Sequence, residues 1–161
     1  MKRTKVYLDT SIINFIYADD TPDLKQATIE FFEKTVKPMV FDIYISEVVI
    51  DEINNTQNDK KRSQLLGSVA EYKLEVLSIN DEAERLASIY IKEKIIPASK
   101  LKDAQHIGIS TVNEFDVLLS WNYKHLANFS RKQRIRLVNQ RENYFYPLDI
   151  ITPLELIYER D

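Results

Sequence analysis

Three acids, Asp9, Glu52 and Asp103, and two polar residues, Ser120 and Asn122, are the positions in this 161-residue chain whose types and surroundings could do chemistry. Each stands where a short apolar run gives way to polar sequence, or just inside the helix-patterned stretch that follows such a run. With no cysteine in the chain, thiol nucleophiles, thiolate metal sites and disulfides are excluded. With only Gly67 and Gly108, there is no glycine-rich loop to cradle a phosphate. Oxygen and imidazole chemistry remain.

Every one of these residues also has an ordinary structural reading. Asp9 follows Val6-Tyr7-Leu8 and precedes Thr10-Ser11-Ile12-Ile13, so it can equally be a helix N-cap. Glu52 lies more than a turn inside a helix-patterned stretch whose core stripe includes Val49 and Ile53. It is either a solvated acid or a long side chain leaning back over the strand ends, because helical side chains tilt toward the helix N-terminus. Asp103 opens Asp103-Ala104-Gln105-His106-Ile107-Gly108-Ile109-Ser110, after Pro97 and the N-cap candidate Ser99. An acid there stabilises a helix start by about 0.3–1 kcal/mol. His106, three residues on, shares a side of that helix with Asp103 and is read first as a packing residue and only second as a metal ligand. Val117-Leu118-Leu119 ends in Ser120-Trp121-Asn122, which sets Ser120 and Asn122 at the carboxyl rim. Asp116 begins the same strand and falls at the opposite edge.

The elements that must position these groups are short apolar runs at Val6–Leu8, Ile43–Ile45, Leu74–Ile79, Val117–Ser120 and Leu148–Ile151, separated by longer stretches with helical spacing. That alternation predicts an α/β fold with three α/β/α layers and a central parallel sheet of four to five strands, each buried on both faces. Leu24, Ala27, Phe31 and Thr35 mark an early helix, and Ala83, Leu86, Ala87 and Tyr90 another, N-capped by Asn80. Ala104 and Gly108, four apart, let the Asp103 helix approach a neighbour closely. Residues 1–161 are read as a single domain, long enough to bury roughly 70% of the surface its unfolded form exposes. In such sheets ligands sit beyond the carboxyl ends of the strands, near a switch in strand order. The apolar run behind Lys2, Arg3 and Lys5 is too short for a leader or a membrane span, so a cytoplasmic protein without membrane contact is expected.

These residues, in this order, resemble the PIN-domain nucleases, in particular the VapC-like toxins of type II toxin–antitoxin pairs. The resemblance is carried by Tyr7-Leu8-Asp9-Thr10-Ser11-Ile12, by Ile45-Ser46 with Glu52, and by Asp103-Ala104-Gln105-His106-Ile107-Gly108-Ile109-Ser110. It continues through Leu118-Leu119-Ser120-Trp121-Asn122-Tyr123-Lys124-His125-Leu126 and the closing Ile151-Thr152-Pro153-Leu154-Glu155. Glu47 falls at a less suitable place than Glu52. The chain departs from the family pattern at Asn122, where many relatives carry an aspartate.

The resemblance implies a Mg²⁺- or Mn²⁺-dependent ribonuclease, the toxin of a toxin–antitoxin pair. RNA would be the substrate, and an antitoxin or a second copy of the chain a partner. Three converging carboxylates would repel and raise one another's pKa values, so a cation is their natural neutraliser. Mg²⁺ takes oxygen ligands and keeps several waters. Asp9 and Asp103 are then the direct ligands, Glu52 a ligand or the orienter of the attacking water, and Ser120 a partner of a bound water or of a neighbouring carboxylate. Asn122 offers a carbonyl oxygen without charge and predicts weaker metal binding. A net charge of −3 gives no overall basic footprint, so any RNA contact is local. Lys124, Arg131, Lys132, Arg134, Arg136 and Arg141, with Trp121, Tyr123, Phe129, Tyr144, Phe145 and Tyr146 in or beside them, fit either a groove for single-stranded RNA or a solvated helix with a packed tyrosine-rich loop. A haloacid-dehalogenase-like phosphatase would need a second acid where Ser11 stands. A receiver-like domain would need an acidic pair and a strand-end lysine that the chain does not assemble. The remaining rival is a catalytically weak or inactive PIN fold acting as an RNA-binding or protein-binding module.

Overall fold

The computed structural model describes residues 2–122, 126 and 128–158, so Tyr123, Lys124 and His125 lie outside the described residues. Five strands, β1 (Lys5–Leu8), β2 (Asp42–Ser46), β3 (Glu75–Leu77), β4 (Val117–Leu119) and β5 (Asp149–Ile151), form one parallel sheet in the order β3-β2-β1-β4-β5. The register sets Val6 against Ile43 on one side and Val117 on the other. The chain therefore winds outward from β1 through β2 to β3, then crosses back to place β4 on the free side of β1. Strand order reverses between β1 and β4, which makes their carboxyl ends the switch point of the sheet. Val6, Tyr7, Leu8, Leu118 and Leu119 are fully buried, as central strands covered by helices on both faces require. The three-layer α/β/α architecture is the one expected. One detail differs: β3 is shorter than the run Leu74–Ile79, and Glu75 and Val76 are exposed, because β3 is the edge of the sheet and lacks a neighbour on one side.

The helices are α1 (Thr10–Asn14), α2 (Pro22–Phe31, extended by a π turn over Phe32–Val36), α3 (Glu47–Asn54), α4 (Asp59–Glu71), α5 (Asp81–Lys92), α6 (Leu101–Val112), α7 (Phe129–Arg141) and α8 (Pro153–Tyr158). Side-chain caps start most of those that follow a loop or strand. Ser46 accepts from the Val48 amide, Asn58 from Lys61, and Asn80, as expected, from Ala83 at 2.9 Å. Ser99 does not cap α6: it lies in a 3-10 turn, and Lys100 occupies the cap position with no side-chain bond. Because glycine is scarce, helix ends fall to other residues. Lys73, Lys94, Glu114 and Asn143 take positive φ just past α4, α5, α6 and α7, and Met39 does so past the π turn. Each is followed by an amide that reaches back to close the helix, as Phe115 does to the Ser110 carbonyl at 3.0 Å.

The packing of α6 decides where the third acid goes. Ala83, Leu86, Ala87 and Tyr90 of α5 are buried against it together with Ala104 and Ile107. A Cβ on Gly108 would stand 2.4 Å from the Ala83 carbonyl oxygen, so only glycine permits this approach. Gly108→Ala is expected to lower stability by about 1–3 kcal/mol, the usual cost of overpacking, despite alanine's better helix propensity. Chemical denaturation would show it as a lower midpoint with an unchanged slope.

Candidate active site

The carboxyl ends of β1, β2 and β4 and the starts of the helices behind them surround a cleft of about 300 Å³. Asp9, Glu52, Asp103, His106 and Asn122 line it, so residues from four separate stretches of sequence meet at one place. Ser120 is fully buried beneath the cleft and does not line it. Asp116 is at the other end of the strands, where it accepts from the Lys5 amide and the Tyr146 hydroxyl.

Asp9 forms the floor. It is 3% exposed, and both its oxygens are held. Oδ1 accepts from the Ser11 amide at 3.0 Å and the Ser11 hydroxyl at 2.5 Å, and Oδ2 accepts from the Ser120 hydroxyl at 2.5 Å. The two serines are themselves fastened to the end of β4: Ser11 Oγ accepts from the Trp121 amide and Ser120 Oγ from the Asn122 amide, each at 2.9 Å. The helix-cap reading of Asp9 holds, and the carboxylate that caps α1 also faces the cleft. Burial pushes its pKa above the usual carboxylate range; nearby His106 and the serine hydrogen bonds pull the other way, and Asp103 adds to the rise.

Glu52 reaches back from the second turn of α3 as its tilt requires. Its Oε1 accepts from the Thr10 hydroxyl at 2.6 Å and from His106 Nε2 at 2.7 Å. Burial alone would raise its pKa, but the hydrogen bond from His106, with help from Thr10 and Lys102, holds it below the ordinary value. Glu47, by contrast, accepts from the Ile79 amide and ties α3 to the loop after β3. Asp103 stands in the first turn of α6, and the Asn122 side-chain amide points at its Oδ2 from 3.4 Å. His106 is 1% exposed with both ring nitrogens engaged, which leaves neither for a metal.

Some contributors were not singled out from the sequence. Thr10 bonds Glu52, Tyr7 bonds His106, and Asn14 and Lys100 line the cleft. A hydroxyl in the otherwise apolar run Val6-Tyr7-Leu8 was the available signal for Tyr7, and the spacing of four from Thr10 the signal for Asn14.

Among the described residues no three Asp, Glu or His side chains stand close enough to hold one ion by direct bonds. The donors at the cleft are nevertheless hard oxygens, and its volume admits a hydrated ion. That combination fits a cation such as Mg²⁺, which is bound through one or two carboxylates and keeps several waters, rather than one caged by protein alone.

Part of the basic segment is engaged in contacts within the domain. Lys132 pairs with Asp149 at 3.2 Å, Arg134 donates to the Glu93 carbonyl, and Arg141 pairs with Glu93. Tyr144 bonds Glu82, and Tyr146 bonds Asp116 at the edge of the sheet away from the cleft. Trp121 is buried, its indole N–H donating to Thr28. Phe129 and Phe145 stand exposed, and Lys132, Arg136, Tyr144 and Phe145 line a shallow groove beside these contacts.

No family model matches the sequence, and no curated protein does. Solved structures do share the fold. VapBC2 from Rickettsia felis, bound to a DNA fragment from its promoter, superposes with a TM-score of 0.53 at 11% identity, covering 91% of this chain and 98% of that one. A toxin–antitoxin complex from Klebsiella pneumoniae gives 0.55 at 15% identity over 78% of this chain and 93% of the other. The chain has the PIN-like α/β/α fold and shares it with VapBC2 and with that toxin–antitoxin complex. Among the described residues no helix is long and apolar enough to cross a membrane.

Folding raises the Asp9 pKa, so this group favours the native state below its unfolded pKa and withdraws that support as pH rises through the folded one. Glu52 acts oppositely, stabilising above its unfolded pKa and losing that contribution as pH falls through the folded one. In the metal-free protein Asp9→Asn should therefore raise the Tm at neutral pH. The gain should shrink as pH falls into the range where the wild-type carboxyl is itself protonated, which calorimetric scans across pH would show.

Proposed function

We propose that this protein is a Mg²⁺- or Mn²⁺-dependent ribonuclease acting as the toxin of a toxin–antitoxin pair. The observation that carries the reading is the cleft at the strand-order switch, which Asp9, Glu52 and Asp103 line together and whose floor is the buried, doubly held Asp9 carboxylate. Burial raises the pKa of Asp9 and Asp103 adds to the rise, a cost that a bound cation would offset. A cation bound there would stabilise charge on the phosphoryl oxygens and ease deprotonation of water. Asp9 and Asp103 are assigned to hold it, Asp9 in a geometry set by Ser11 and Ser120. Glu52 is assigned to orient the attacking water. In the hydrolysis the water oxygen bonds to phosphorus, the ester P–O bond breaks, and the departing oxygen takes up a proton. The antitoxin partner is proposed from the toxin–antitoxin assemblies that share the fold.

Asn122 favours a second reading, a PIN-fold binding module of little activity. Its amide faces Asp103 where an aspartate would face it with like charge. The two readings separate on RNA cleavage by purified protein with Mg²⁺ or Mn²⁺. Cleavage should stop with EDTA and fall at least about 100-fold in Asp9→Asn and Asp103→Asn, since losing a charged ligand costs several kcal/mol. Cleavage indifferent to chelation and to both substitutions would eliminate the metal nuclease. Asn122→Asp should tighten Mn²⁺ binding by about tenfold, one charged ligand in a partly solvated site. Unchanged affinity by calorimetry would remove residue 122 from the metal site.

A further inference from the structure

His106 is among the most buried polar side chains of the protein, and its bonds have a direction that can be worked out atom by atom. Its Nε2 lies 2.7 Å from Glu52 Oε1, and its Nδ1 lies 2.6 Å from the Tyr7 hydroxyl. A carboxylate only accepts, so Nε2 carries the hydrogen. The Tyr7 hydroxyl sits between Nδ1 and the Ser46 hydroxyl, 2.7 Å away, and Ser46 Oγ also accepts from the Val48 amide. With Nδ1 as acceptor the bonds run one way, from Ser46 to Tyr7 to Nδ1, and from Nε2 to Glu52. Every buried hydroxyl proton then has an acceptor. The opposite direction leaves the Ser46 proton with none, which is costly in a residue of zero exposure.

This chain of bonds closes on itself. Ser46, the last residue of β2, caps α3, and Glu52 stands one and a half turns along that helix, so the relay leaves and rejoins α3 while its middle belongs to β1 and α6. On Glu52 the consequence is specific. Oε1 takes two bonds, from His106 and Thr10, and Oε2 takes none among the described residues.

We infer that His106, with its tautomer set by Tyr7 and Ser46, is a positioning residue that fixes the Glu52 carboxylate with Oε1 committed to the protein and Oε2 presented to the cleft. The inference rests on the nuclease reading for the task it gives Glu52, and it names the device that orients that group. His106 touches neither substrate nor metal in this assignment; it acts through Glu52.

A ring that merely filled space would be replaced best by an apolar side chain of similar volume, whereas a positioning donor would be replaced best by another N–H. His106→Leu and His106→Gln separate these roles, because glutamine retains a donor at similar reach and leucine does not. Loss of an outer partner of this kind typically costs about 10–100-fold in metal affinity or activity. His106→Leu should therefore lose about that much in kcat with KM and Mn²⁺ affinity little changed, while His106→Gln recovers most of the kcat. Thermal melts of each variant show whether it has folded. Equal losses in the two variants, or losses that follow Tm, would overturn the assignment. An independent measurement uses the unmodified chain: nitrogen-detected NMR of the imidazole should show Nε2 protonated, with a resonance that shifts in Glu52→Gln. An unprotonated Nε2 would end the proposal. A wild-type protein that neither cuts RNA nor binds Mn²⁺ would defeat the nuclease reading, while the NMR result would still decide whether the relay exists.

Discussion

The Asp9 carboxylate is buried at the point where the sheet reverses its winding, and much of the surrounding structure answers to that charge. A desolvated carboxylate is tolerable only with donors on its oxygens. Here Ser11 and Ser120 supply them, and both serines accept in turn from backbone amides at the end of β4. The bonds that satisfy Asp9 are therefore also the bonds that splice the start of α1 to the neighbouring strand. Stability and site geometry are coupled through one group. The coupling is incomplete, because burial still outweighs the donors and leaves the carboxyl with a raised pKa. A site that remains electrostatically unsettled after its hydrogen bonds are made is one suited to a cation.

The other two acids are placed by different means. Asp103 depends on how closely α6 can lie against α5, which Gly108 permits by leaving room for the Ala83 carbonyl. Glu52 depends on a relay through three elements, with Thr10 and His106 gripping one of its oxygens. Asn122 then meets Asp103 with an amide where an aspartate would bring a fourth carboxylate. The result is less repulsion around the cleft and less negative charge to attract a metal, two effects of the same substitution.

In the basic and aromatic stretch after Asn128, several charged side chains also hold the fold together. Lys132, Arg134 and Arg141 spend their donors on Asp149 and on Glu93, and Tyr146 reaches Asp116 at the far edge of the sheet. A residue can be chemically suited to RNA and still be employed in holding a helix down.

Asp9, Glu52, Asp103 and Asn122 were legible in the chain because strand ends announce themselves where Val6-Tyr7-Leu8 and Val117-Leu118-Leu119 turn polar, and because side chains on a helix lean toward its start. The parallel α/β layering followed from the spacing of apolar runs, and the closeness of α6 from Ala104 and Gly108. Linear sequence could not reveal that β1 would lie between β2 and β4, since strand order comes from long-range packing that no local pattern encodes. Nor could it assign His106, whose neighbours Tyr7, Ser46 and Glu52 lie between 54 and 99 positions away and meet it only across three packed elements. Residue type and period settled which groups were available and which way they leaned. Tertiary contact alone decided which hydrogen bonds they would make, because a buried donor or acceptor takes its partner from whatever the fold brings within reach.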